Sequence, residues 1–83
     1  MARNISWTNQ ARSDVRALDQ QTAMRILHAL ARFANTEEGD VKRLRDIDPP
    51  EFRLRAGAYR IRFRDHGDAI EILAVRHRSQ AYR

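Results

Sequence analysis

The apolar residues of this chain change their spacing near residue 40, and that change limits the folds it can reach. Before it, Ala11, Val15 and Leu18 fall at i, i+4 and i+7, and Ala23, Ile26, Leu27, Leu30 and Ala34 continue at helical spacing. After it, Phe52 and Leu54, then Tyr59, Ile61 and Phe63, alternate with polar residues, the pattern of strands half-buried in a sheet. A helical segment followed by a run of strands is the signature of an α+β domain, in which helices cover one face of a sheet.

Local signals divide these segments. Arg3–Trp7 reads as a short first strand, and Thr8 as the N-cap of a first helix. Asp19 ends that helix or caps a second, expected from about Gln20 to Ala34. The acidic stretch Asn35–Asp40 is a loop, and Val41–Arg45 a candidate short strand. Pro49 and Pro50 block continuation. Glu51–Ala56 and Ala58–Asp65 are strands reversed at Gly57, and His66-Gly67 turns the chain into Asp68–Arg76. That last strand is the most apolar and is expected inside the sheet. It has apolar residues of both parities (Ile70, Ile72 and Ala74; Leu73 and Val75), so its second face either needs cover or is buried within the domain. The expected layout is one domain over residues 1–83, an N-terminal strand and helical hairpin packed on a small antiparallel sheet, in the order β-α-α-β-β-β.

With 83 residues and no cysteine, the core must come from apolar packing alone, and no thiolate is available as nucleophile or metal ligand. No apolar run is long enough to span a bilayer, and the opening MARNISW has no apolar signal segment, so the cytoplasm is the expected location, with no membrane partner.

Charge is divided as unevenly as hydrophobic spacing. Residues 1–40 hold five arginines and five acids, whereas residues 41–83 hold eleven basic residues and six acids and so carry the whole net charge of +5. Fifteen of the sixteen basic residues are arginine, the side chain whose planar fork matches phosphate. If Phe52, Leu54, Tyr59, Ile61 and Phe63 face the helices, then Arg53, Arg55, Arg60, Arg62 and Arg64 face away from them. On one strand they stand about 6.6 Å apart, with neighbouring strands ~4.8 Å away. Like charges at such distances repel. The grid points to an anionic partner such as nucleic acid; a solvated strand face is the plainer reading of Arg62 and Arg64.

The sequence offers little other chemistry. His28, His66 and His77 have no second ligand at metal spacing, the glycines at 39, 57 and 67 form no phosphate loop, and no serine has an evident activating partner. No metal or other cofactor is expected. Arginines on a sheet can meet the charge that develops on a phosphate, and RNA carries its own nucleophile in the 2′-hydroxyl. An aromatic ring stacks on an exposed base, and a titratable group moves the proton. Tyr82 and His77 are the candidates, with C-terminal packing and simple exposure as their plainer readings.

Four stretches together resemble toxins of the RelE/ParE superfamily of bacterial type II toxin–antitoxin systems. ISWTNQARSDVRALD (Ile5–Asp19) is similar to the family's opening strand and first helix, VKRL (Val41–Leu44) to the segment before the sheet, FRLRAGAYRIRF (Phe52–Phe63) to its arginine–leucine–arginine–x–glycine–x–tyrosine–arginine motif, and AVRHRSQAYR (Ala74–Arg83) to its closing strand. The resemblance implies a RelE-like fold. For the RelE-like branch it implies a metal-independent endoribonuclease that cuts mRNA in the ribosomal A site, leaves a 2′,3′-cyclic phosphate and a 5′-hydroxyl, and so inhibits translation. The alternative, the ParE-like branch, shares the fold, has no nuclease site and inhibits DNA gyrase.

By the same resemblance, the catalytic positions fall on Arg53 and Arg55, on Arg60 after the glycine turn, on Arg76, and on Tyr82, which keeps the six-residue spacing from Arg76. Arg78 becomes a phosphate contact or a structural residue and His77 a possible acid or base, while Arg62 is an RNA or phosphate contact as part of the arginine grid. Some members have lysine at the first two positions. Arginine does not release its proton usefully, so Arg53 and Arg55 can stabilise phosphate charge but cannot serve as general bases. The implied partners are a cognate antitoxin, the ribosome and mRNA, with operator DNA reached only through the antitoxin complex.

Overall fold

The structure, a computed structural model, describes residues 3–80. Strand β1 (Asn4–Trp7) leads into helix α1 (Asn9–Arg16), and α2 (Gln20–Thr36) follows. Thr8 is the N-cap of α1, its hydroxyl accepting from the Ala11 N–H, and Asp19 caps α2 by accepting from the Thr22 N–H. The longer helix ends where Glu37 takes a left-handed conformation at φ 63° and donates its N–H to the Phe33 carbonyl.

Four strands complete the chain: β2 (Asp40–Arg43), β3 (Phe52–Ala56), β4 (Tyr59–Asp65) and β5 (Ala69–His77). The candidate strand after the loop is therefore real, and four strands rather than three follow the helices. The hairpin between β3 and β4 turns on Gly57, whose φ of 59° at the first central position suits a glycine-led two-residue turn.

The sheet order is β1-β5-β4-β3-β2. The run β2 to β5 is antiparallel, but β1 pairs with β5 in parallel, from Asn4 opposite Ala69 to Trp7 opposite Ile72. The sheet is mixed, which corrects the antiparallel expectation. Hairpin turns fix the direction of strands joined by them. The partner of the outer edge of β5 depends instead on where the helical hairpin delivers the chain, which hydrophobic spacing does not encode.

Both parities of apolar residue on β5 now have an explanation. Arg62 is opposite Ala74 and Phe63 opposite Ile72, so Leu73 is an extra residue in a β-bulge. The bulge resets the alternation, and Ile70, Ile72 and Val75 all join the core. That strand is inside the sheet, between β1 and β4.

The helices supply Ala11, Ile26, Leu30, Phe33 and Ala34 to the same core, against Leu54, Ile61 and Phe63 of the sheet. Phe63 is the hub: its ring lies 5.4 Å from that of Phe33 and 5.6 Å from that of Phe52. The α2 stripe is Ile26, Leu30 and Phe33, while Leu27 remains 38% exposed. Each large side chain buried here contributes about 1.5–3 kcal/mol, which a chain without disulfides needs. Among the described residues no helix is long and apolar enough to cross a membrane.

Candidate functional site

Strand alternation turns Arg53, Arg55, Arg60, Arg62 and Arg64 away from the helices, since Leu54, Ile61 and Phe63 between them are buried in the core. Register then sets them in rows. Lys42 is opposite Arg53 and Arg53 opposite Arg62. Arg55 is opposite Arg60, and Arg60 opposite Arg76. The second row joins three adjacent strands at the end of the sheet nearest the Gly57 turn.

The face is not uniformly cationic. Glu51, just before β3, is buried at 7% exposure, and its two carboxylate oxygens lie 2.9 Å from Arg62 Nε and 3.5 Å from Arg64 Nη2. Arg64 also lies 4.0 Å from Glu71, and Arg53 lies 3.8 Å from Asp40. Carboxylates thus offset the charge toward the far end of β4 and toward the β2 edge. In the Arg55–Arg60–Arg76 row the balance differs. Among the described residues, neither Arg55 nor Arg60 has a carboxylate in ion-pair contact. Arg60 bends over the turn, with Nη1 donating to the Gly57 and Tyr59 carbonyls at 3.2 Å each.

Arg76 has a partner that sequence reasoning missed. Its Nη1 donates to Oδ1 of Asp14 on α1 at 2.5 Å. The other oxygen of Asp14 accepts the Val75 N–H at 2.9 Å. This contact follows from the topology. The β1 ladder ends at Ile72, and α1 covers the edge of β5 beyond it: the Thr8 N–H donates to the Ile72 carbonyl and the Thr8 hydroxyl to the Leu73 carbonyl, both at 3.1 Å. The available signal was that Asp14 stands three residues after Ala11 and next to Val15, on the shoulder of the buried face of α1. Glu51 had no such signal.

The remaining candidates separate. His77 follows Arg76 on β5, and because the Arg76 guanidinium reaches Asp14 on α1, both residues line one cleft with Asp14 and Tyr59. His77 is opposite Tyr59, with the rings 5.4 Å apart and edge-on, and its Nδ1 accepts the Ser79 N–H. Arg78 lies in the exposed turn after β5, its backbone N–H donating to the Ala58 carbonyl at 2.7 Å. Tyr82 lies outside the described residues. Among the described residues no cluster of three or more histidine, aspartate or glutamate side chains gathers to hold a metal ion.

Arginines on adjacent strands, two of them without a carboxylate in ion-pair contact among the described residues, are an arrangement that can meet an anion with several oxygens. Known proteins share this fold. The family model described as the ParE toxin of the type II toxin–antitoxin system parDE matches residues 5–82. The fold is similar to that of the toxin–antitoxin complex RelBE2 from Mycobacterium tuberculosis, with a TM-score of 0.79 and 24% identity over 96% of this chain and 95% of the other. It is also similar to the RelE–RelB complex from Pyrococcus horikoshii OT3, at a TM-score of 0.74 and 22% identity, covering 98% and 100% of the two chains. The free E. coli toxin RelE, as an R81A/R83A mutant, matches at a TM-score of 0.72 and 17% identity, covering 98% of this chain and 88% of that one. No curated protein matches the chain.

Proposed function

Since the chain belongs to the family of ParE toxins of type II toxin–antitoxin systems, within the RelE/ParE superfamily, we propose that its arginine face acts on RNA: the protein is a ribosome-dependent endoribonuclease that cuts mRNA and stops translation. The observation that carries this reading is the Arg55–Arg60–Arg76 row, in which two guanidinium groups have no carboxylate partner among the described residues.

In this reading the 2′-hydroxyl oxygen attacks the adjacent phosphorus. An O2′–P bond forms, the bond from phosphorus to the 5′-oxygen breaks, and the products are a 2′,3′-cyclic phosphate and a 5′-hydroxyl. The non-bridging phosphate oxygens gain charge on the way, and Arg60 and Arg76 meet it. Arg55 and Arg53 hold flanking phosphates, with Arg62 and Arg78 farther along the RNA. The 2′-hydroxyl loses a proton and the 5′-oxygen gains one. Arginine does neither, so the candidates for moving it are Tyr82 and His77, which lines one cleft with Arg76. No metal enters this scheme.

The ribosome supplies the single-stranded mRNA. The RelE–RelB complex and RelBE2 support a cognate antitoxin as the protein partner; an acid-bearing amphipathic segment suits so basic a chain, and contact with operator DNA runs through that complex. A second reading, inhibition of DNA gyrase without nuclease activity, is favoured by two observations. The matching family model is that of ParE, and one of the three arginines in the row is already paired with Asp14.

Cell-free translation with purified ribosomes and a defined mRNA separates the two. Primer extension is expected to map cuts at A-site codons, only with ribosomes present. Arg60→Ala is expected to abolish them while leaving stability within about 1 kcal/mol of native. Intact mRNA, together with loss of gyrase supercoiling activity, would establish the second reading.

A further inference from the structure

We propose that Asp14 is a positioning residue that fixes the Arg76 guanidinium as one arm of the phosphate receptor. The catalytic side of this role rests on the nuclease reading; the ordering of Arg76 does not.

Asp14 is itself firmly held. Its side chain is 8% exposed, Oδ2 accepts the Val75 N–H, and Oδ1 accepts from Gln10 Nε2 at 2.9 Å as well as from Arg76 Nη1. The carboxylate is thereby tied to the backbone of the strand that carries Arg76. Among the described residues Arg76 is tied at one nitrogen only, and its side chain stays 41% exposed. A guanidinium has five N–H donors, so this contact leaves most of the fork open to a second anion. A free arginine side chain loses rotamer entropy when it binds phosphate. A carboxylate that has already ordered it removes much of that cost from the binding step and fixes where the charge sits when the transition state forms.

The same negative charge has an opposite effect on affinity. It offsets the cation that attracts phosphate in the ground state. A positioning carboxylate therefore raises the rate of the bound complex without tightening binding, and removing it separates the two quantities.

Asp14→Asn is the informative variant. The asparagine carbonyl still accepts the Val75 N–H, so the edge of β5 stays covered, while the charge facing Arg76 is gone. In single-turnover cleavage on programmed ribosomes, the rate at saturating protein is expected to fall by up to about a hundredfold. The half-saturating concentration is expected to stay the same or decrease, with the melting temperature close to native. In parallel, the Arg76 guanidinium NMR signals, assigned by their loss in Arg76→Lys, are expected to be resolved in the native protein and averaged by free rotation in Asp14→Asn.

A faster saturating rate in Asp14→Asn would show that Asp14 restrains Arg76 and would overturn the role. Losses of rate, affinity and melting temperature in proportion would make Asp14 structural only and overturn it too. Guanidinium signals unchanged by the substitution would do the same. Native protein that leaves mRNA intact would overturn the nuclease reading alone, and the NMR comparison would still decide whether Asp14 orders Arg76.

Discussion

Glu51 determines how much of the arginine face is open. A buried carboxylate is costly unless paired, and here two arginines approach it, one half exposed to solvent and one a third exposed. Glu51→Gln keeps the shape and loses the charge. Stability is expected to fall by about 1–2 kcal/mol, measured by urea unfolding at neutral pH, because charge-assisted contacts become neutral ones and Arg62 and Arg64 no longer share a counter-ion. The same substitution adds a unit of positive charge to the face, so affinity for a single-stranded RNA oligonucleotide is expected to rise. Stability and RNA affinity moving in opposite directions is the test. A parallel fall in both would mean that Glu51 shapes the face rather than limiting its charge.

At the scale of elements, α1 is both a covering helix and a cap on a sheet edge. Thr8 serves both uses, accepting from the Ala11 N–H at the helix start and donating to the Leu73 carbonyl at the bulge. Thr8→Ala removes both bonds and is expected to cost about 1–2 kcal/mol, with Thr8→Ser recovering most of it in the same unfolding assay. A second tie between elements is sensitive to acid. Arg3, before β1, lies 2.7 Å from Asp65 at the end of β4. The hydrogen bond from Arg3 and that from the Gly67 N–H hold the Asp65 carboxyl below its ordinary value of 3.8. A carboxyl lowered in the folded state stabilises the fold above its ordinary value, and that contribution disappears as pH falls through the lowered one. Asp65→Asn is therefore expected to reduce stability at neutral pH and to flatten its decline below about pH 4, which melting temperatures across that range would reveal.

The helices, the Gly57 hairpin and the outward arginines were legible because each depends on spacing within one segment. The parallel β1–β5 pair, the bulge at Leu73 and the two acids were not. Asp14 meets Arg76 across 62 positions, and Glu51 meets Arg64 across 13 through a turn between strands. Such pairs exist only once register is set, and a one-residue bulge changes which residues share a face.

For the molecule as a whole, net charge matters less than where it remains uncompensated. Among the described residues carboxylates meet Arg53, Arg62, Arg64 and Arg76 in ion pairs, while Arg55, although opposite Asp40 in the ladder, and Arg60 have none, so the field of the sheet face is concentrated at those two arginines rather than spread over every one. A polyanion that binds there displaces counter-ions in proportion to the phosphates it places against cations. If the row and its nearest neighbours contact four phosphates of single-stranded RNA, log K against log salt is expected to have a slope of about −3. Arg60→Ala is expected to reduce its magnitude by about 0.7, the share of one phosphate contact. Arg64→Ala, whose cation is already met by Glu51 and Glu71, is expected to reduce it by less. Fluorescence anisotropy with a labelled oligonucleotide, from about 50 to 200 mM salt, measures all three. Equal losses at Arg60 and Arg64 would mean that the acids do not focus the field and that the whole grid binds as one surface. A much smaller loss at Arg64 would place RNA along the Arg55–Arg60–Arg76 row, at the end of the sheet where the closing segment of the chain begins.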